Sequence, residues 1–143
     1  VLQGRVKWKD KILLRLSDKL YIVSLGNGKR ITKCECGHEF GDYRSNWKLQ
    51  SKVRVRKTAE EMKAVYDPKP AVPEAGWQEI REYFCPSCAT QHAVEVVPPG
   101  YPIVMEMLPD LDKFYSDYLG KPLADAASDW YQDKTSDTTS NWG

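Results

Sequence analysis

The chain has 143 residues, 41% of them apolar, and its 21 Lys/Arg and 20 Asp/Glu leave a formal charge of +1. That is enough chain for one modest core and short for two. The longest apolar run, Ile103 to Leu108, is interrupted by Glu106 and falls far below the roughly 20 residues of a spanning helix, so a helical membrane protein is excluded. No arginine-flanked apolar segment heads the chain, so no secretory signal is expected.

The near-neutral charge conceals an asymmetry. Residues 1–57 carry fifteen Lys/Arg against five Asp/Glu, a net of +10, whereas residues 58–143 carry six against fifteen, a net of −9. Either the halves neutralise one another within one compact body, or each faces a partner of opposite charge.

Taken in chain order, Ile12-Leu13-Leu14 and the run Leu20 to Leu25 are β-rich. Gly26-Asn27-Gly28-Lys29 supplies the positive-φ residues of a tight hairpin whose second strand, from Arg30, runs into Cys34. Phe40 to Gln50 has no clear period and reads as a loop with aromatic anchors. Val53 and Val55 alternate with Arg54 and Arg56, a strand with one apolar and one cationic face. Thr58 and Glu61 have capping-box spacing, and Met62, Val65 and Tyr66 share a stripe, predicting a helix of about nine residues. Three prolines between Asp67 and Gly76 impose an extended connector. Trp77–Phe84 and Ala93–Val97 alternate like strands, the second stopped by Pro98-Pro99. Asp110 caps a helix bearing Leu111, Phe114, Tyr115, Tyr118 and Leu119, closed by Gly120 and Pro122. The expected architecture is α+β, a mainly antiparallel zinc-ribbon-like domain over residues 1–122 with two short peripheral helices. Residues 123–143 form an extended or disordered tail whose polar composition buries little.

All four cysteines fall in two close pairs, Cys34-Glu-Cys36-Gly and Cys85-Pro-Ser-Cys88, 48 residues apart. Each pair lies between strand-like segments, so two hairpin tips can bring four thiolates to one point. Zn²⁺ takes such a set tetrahedrally at about 2.3 Å with no open position. The redox readings fit less well: a Cys-x-Cys disulfide is strained, and Cys88 does not open a helix that would lower a thiol pKa. A catalytic metal needs an open position that four thiolates do not leave. His38 and His92 follow the pairs closely enough to replace a thiolate, but with four cysteines present the more common role is a hydrogen bond to a ligand or exposure to solvent. Lys33 beside Cys34 is placed to soften the −2 charge of a four-thiolate centre.

No phosphate loop, Ser/His/Asp set, nucleotide fingerprint or recognisable carboxylate pair occurs; Asp110 and Asp112 are explained by the helix start. No catalytic residue is therefore assigned. Two classes of function remain. A basic ribbon with Trp8, Tyr43 and Trp47 could bind nucleic acid as a free-standing protein, against which stand the neutral overall charge and the acidic second half. The favoured reading is an interaction subunit whose aromatic residues and oppositely charged faces are buried on larger proteins.

Several blocks in order, Cys34-Glu-Cys-Gly-His-Glu-Phe40, Asn46-Trp-Lys-Leu49, Val53-Arg-Val-Arg56, Trp77 to Cys88, Tyr101-Pro-Ile-Val104 and Phe114 to Gly120, resemble the small gamma subunit of the acetone carboxylase and acetophenone carboxylase family. The likeness runs from about Trp8 to Pro122. It implies a zinc-carrying subunit of a bacterial cytoplasmic hetero-oligomer. That complex uses ATP and bicarbonate to convert acetone to acetoacetate, or acetophenone to benzoylacetate, on large hydantoinase-like subunits. By position, Cys34, Cys36, Cys85 and Cys88 match the family's zinc motif. ATP and bicarbonate belong to the complex, and no nucleic acid or membrane partner is expected. The further cysteine that acetone-type relatives tend to carry near Gly41 is missing here, Ala89 stands where they have glycine, and their N-terminal segment is longer. These departures tilt the resemblance toward the acetophenone type. Trp47, Trp77, Tyr101 and the tail are the expected contact elements of a subunit that clamps its larger partners, and the basic strand around Arg54 and Arg56 is the first expected docking surface.

Overall fold

A computed structural model describes residues 2–65, 72–124 and 131–139. The architecture is α+β, two antiparallel sheets with a few short helices, as expected from sequence. The chain divides into two compact units, residues 1–50 with 104–143, and residues 51–103.

The first unit carries a four-stranded sheet in the order β1 (Lys11–Ser17), β2 (Leu20–Gly26), β3 (Lys29–Cys34) and β4 (Glu39–Asp42). The predicted hairpin joins β2 to β3 through Asn27 and Gly28, at φ +54° and +75°. Leu20, Tyr21, Ile22 and Val23 of β2 are all fully buried, because both faces of the sheet are covered. Leu13, Ile22, Tyr43 and Leu111 form one cluster, joined by Tyr115 and Leu123. Tyr21, Val23 and Ile31 form another, joined by Leu2, Val6 and Trp8. An unbroken apolar run is what a strand buried on two sides requires.

The segment Phe40–Gln50, read from sequence as a loop, contains β4 and a 3₁₀ turn at Trp47–Gln50. β4 is four residues long and its alternation is broken by Gly41, so it left no periodic signal. Asp110 does cap a helix, accepting from the Lys113 N–H. That helix, α2 (Leu111–Lys113), continues as a π-helical turn over Phe114–Tyr118 and ends at Gly120 with φ +62°. Leu111 is its buried anchor, and the Tyr115 hydroxyl donates to the Leu13 carbonyl at 2.6 Å. Phe114, Tyr118 and Leu119 face outward. The sequence predicts an extended or disordered tail over residues 123–143; within it, Thr135–Thr139 forms a short helix, α3. The Lys134 N–H donates to the Arg44 carbonyl, Ser45 Oγ to the Lys134 carbonyl, and the Asn46 N–H to Thr135 Oγ1.

The second unit is a three-stranded sheet of β5 (Lys52–Arg56), β6 (Glu79–Phe84) and β7 (Gln91–Val97), with β6 central. Helix α1 (Ala59–Lys63) has the predicted capping box, with Thr58 Oγ1 accepting from the Glu61 N–H and Glu61 from the Thr58 N–H. It spans five residues rather than nine: Met62 is buried, Val65 is exposed, and Tyr66 lies outside the described residues. Half of the proline connector, residues 67–71, also lies outside them. On one face of the sheet, Glu95 receives the Tyr83 hydroxyl and pairs with Arg81 at 2.9 Å, while Arg81 also donates to the Tyr101 and Pro102 carbonyls. The segment after Pro98-Pro99 is thereby tied to the sheet.

The basic half of the chain is partly neutralised within the fold. Arg30 pairs with Asp112, Lys48 with Glu106 and Arg56 with Glu82, three cations of residues 1–57 meeting carboxylates of residues 58–143. Arg56, offered from sequence as part of a docking strand, is buried in its pair with Glu82; the Val53/Arg54 alternation could not show that a β6 carboxylate lies within its reach.

Candidate metal centre

The two cysteine pairs sit on turns of the same construction. In the first, at the end of β3, the Cys34 N–H donates to the His38 carbonyl and the Gly37 N–H to the Cys34 carbonyl, both at 2.9 Å. In the second, after β6, the Cys85 N–H donates to the Thr90 carbonyl at 2.8 Å and the Ala89 N–H to the Cys85 carbonyl at 2.9 Å. The extra residue between Cys85 and Cys88 moves the closing N–H from three residues after the first cysteine to four, and the design is otherwise kept.

Gly37 lies at φ +105° and Ala89 at φ +62°. Ala89 stands where the first turn has Gly37. The backbone takes the left-handed conformation there all the same, at the strain an L-residue pays in that region.

In each turn the first cysteine, Cys34 or Cys85, is buried and the second, Cys36 or Cys88, is exposed; none is in a disulfide. The four Sγ atoms lie within 4.8 Å of one another. A tetrahedron with bonds of about 2.3 Å has sulfur–sulfur edges of about 3.8 Å, so the set fits one ion after shifts of about an ångström. Four cysteines close together can hold a metal ion, and a soft thiolate set selects zinc-like ions over hard cations.

Among the described residues neither histidine joins this group. His38 donates its backbone N–H to Cys36 Sγ at 3.4 Å, and its ring stacks edge-on against Phe40. His92 is buried on β7. Cys88 and the Thr90 hydroxyl are 3.1 Å apart. In the free thiol the sulfur donates; in a metal-bound thiolate the hydroxyl would donate to sulfur instead. Lys33, expected to offset thiolate charge, directs Nζ to Asp10 at 2.5 Å and lies over the Trp8 ring at 4.8 Å. Trp8, offered from sequence as a stacking platform, is also engaged. Its Nε1–H donates to the Glu35 carbonyl, its ring meets Tyr21 edge-on, and its Cδ1 is 3.6 Å from where a Cβ on Gly37 would stand. This support of the first turn was not legible, because nothing in the sequence links Trp8 to a loop 27 residues away. Trp47 packs edge-on to Phe40, whereas Trp77 and Tyr101 are exposed.

Residues 6–119 match the family model for the acetone carboxylase gamma subunit. The chain belongs to that family. It is 46% identical over 128 residues to the acetone carboxylase gamma subunit of Xanthobacter autotrophicus, covering 89% of this chain and 76% of the relative. It is 30% identical over 79 residues to the acetophenone carboxylase beta subunit of Aromatoleum aromaticum, covering 54% of this chain and 61% of that protein. Of the two, the acetone carboxylase relative is the more similar and over the longer span, so the tilt toward an acetophenone type gains no support. Ala89 was part of that tilt, and it keeps the backbone conformation a glycine would have. As a gamma subunit of a ketone carboxylase, the protein is one component of a multi-subunit enzyme.

Proposed function

We propose that this gamma subunit is a zinc-stapled structural component of an ATP-dependent acetone carboxylase. It would hold larger hydantoinase-like subunits in register while the carboxylation of acetone to acetoacetate, with bicarbonate and ATP, takes place on them in the cytoplasm. The observation that carries the reading is the thiol set. Four sulfurs on two matching turns leave a bound ion no open position for substrate or water, and a closed set is structural rather than catalytic. The likeness to an acetone carboxylase gamma subunit supports the choice of enzyme, and the sequence holds no phosphate-binding loop that would put nucleotide on this chain. Two ligand pairs with 48 residues between them in sequence also give the ion mechanical value. Zinc binding to small thiolate peptides amounts to roughly 10–16 kcal/mol at neutral pH, on the scale of a whole domain's stability.

The test is metal analysis of the complex purified through its gamma subunit, with Cys85→Ser alongside. One zinc per copy is expected, and its loss in the variant should free the chain from the larger subunits. A metal-free chain that remains in a fully active complex overturns the proposal.

A further inference from the structure

β5 is an edge strand. Among the described residues it pairs with β6 alone, and Lys52, Val53, Arg54 and Val55 are all exposed, the two valines at 39% and 36%. Its neighbour β6 is buried from Glu79 to Tyr83, so β5 stands on a firm sheet. The opposite edge, β7, differs, because its Glu95 is already engaged by Arg81 and Tyr83. An open edge offers alternate N–H and C=O groups to any extended segment, and side chains directly across from one another then decide which segment is accepted.

The side chains of β5 discriminate. Lys52 and Arg54 alternate with Val53 and Val55, so one face of the edge is cationic and the other apolar. A second copy pairing with itself about Arg54 would set Arg54 directly against Arg54, with Lys52 of each copy close by, so like charges meet on the cationic face even though Val53 would lie against Val55. Self-pairing is therefore disfavoured by the same residues that would attract an acidic strand. We propose that β5 accepts, by strand addition, an extended segment of another carboxylase subunit that alternates Asp or Glu with apolar residues. Its carboxylates would lie beside Lys52 and Arg54 and its apolar side chains beside Val53 and Val55. This rests on the assembly role proposed above.

The experiment compares amide hydrogen exchange in the full chain alone with that in the complex purified with the other subunits. Alternate amides within residues 52–56 should slow at least about tenfold on assembly, and Arg54→Glu should lower recovery of the chain with the other subunits by about tenfold. Arg54→Gln should fall between, and both variants, alone, should melt as the original does. An intact complex in which the β5 amides exchange as in the free chain overturns strand addition and leaves the assembly role standing, as does an Arg54→Glu chain that assembles normally. A free chain that sediments as a dimer with protected β5 amides overturns the proposal in favour of a second copy. A chain that joins no other subunit overturns the assembly reading together with this one.

Discussion

Asp112→Ala tests whether the α2 helix is held to the four-stranded sheet by one ion pair. Arg30 on β3 donates from both terminal nitrogens to Asp112, at 3.2 and 2.8 Å, and the two side chains are 2% and 21% exposed. Burial works against the guanidinium charge, but the hydrogen bond and charge of Asp112 outweigh it and raise the Arg30 pKa above its ordinary value. Truncating the carboxylate leaves a cation that water barely reaches. Breaking one side of a buried pair costs about 3–5 kcal/mol, and the partial exposure of Asp112 argues for the lower end, ~3 kcal/mol. Tyr43 cannot substitute as an anion, because burial raises its phenol pKa despite the opposing pull of Arg30. For a chain of this length that corresponds to a fall in melting temperature of about 10 °C, measured by calorimetry on metal-saturated protein. The double variant Arg30→Met with Asp112→Leu should recover most of the loss, since no charge is then stranded. A fall of less than about 3 °C in the single variant would refute the reasoning, as would a double variant worse than the single.

Other outcomes follow from single contacts. Ala89→Gly should stabilise the second turn by about 1 kcal/mol, because Ala89 sits at φ +62° where an L-residue is strained; competition with a chromogenic chelator should show zinc held no less tightly. Gly37→Ala, at φ +105°, should cost about 1–3 kcal/mol and weaken metal retention in the same assay. Tyr115→Phe removes the donor to the Leu13 carbonyl and should cost about 1 kcal/mol in urea unfolding. Asp42 is set by opposing effects: burial raises its pKa, and hydrogen bonds and charge from Arg44 more than offset this and lower it. A depressed folded-state pKa adds stability above the unfolded value near pH 4 that disappears as pH falls through the folded value. Asp42→Asn should therefore be less stable than the original at pH 6 and lose that deficit at the acid end of a urea-midpoint series.

What could be read from sequence was what local chemistry dictates. The β2–β3 hairpin, the Thr58 and Asp110 caps and the three strands of the second sheet each rest on residues within a few positions of one another. The pairing of Cys34 and Cys36 with Cys85 and Cys88 was a long-range inference, legible only because thiols in close pairs have few other uses. Contacts set by three-dimensional neighbourhood were not legible. Arg56 looked like a solvent-facing cation until Glu82 came within reach, and Trp8 looked like a free aromatic until the first sheet placed it beside Tyr21 and Gly37. The π-helical turn at Phe114–Tyr118 keeps the apolar residues a helix needs, so its wider winding left no mark on the pattern.

The inequality between the two thiols of each turn has a kinetic consequence. With Cys34 and Cys85 buried and Cys36 and Cys88 exposed, an ion held by all four would have a sheltered side and a side open to solvent. Exchange would then proceed by release of Cys36 or Cys88 first, with the ion still gripped from beneath, rather than by opening the fold. Alkylating reagents should mark the same two outer sulfurs before the inner pair, and the order of labelling would trace the route by which the ion arrives and departs.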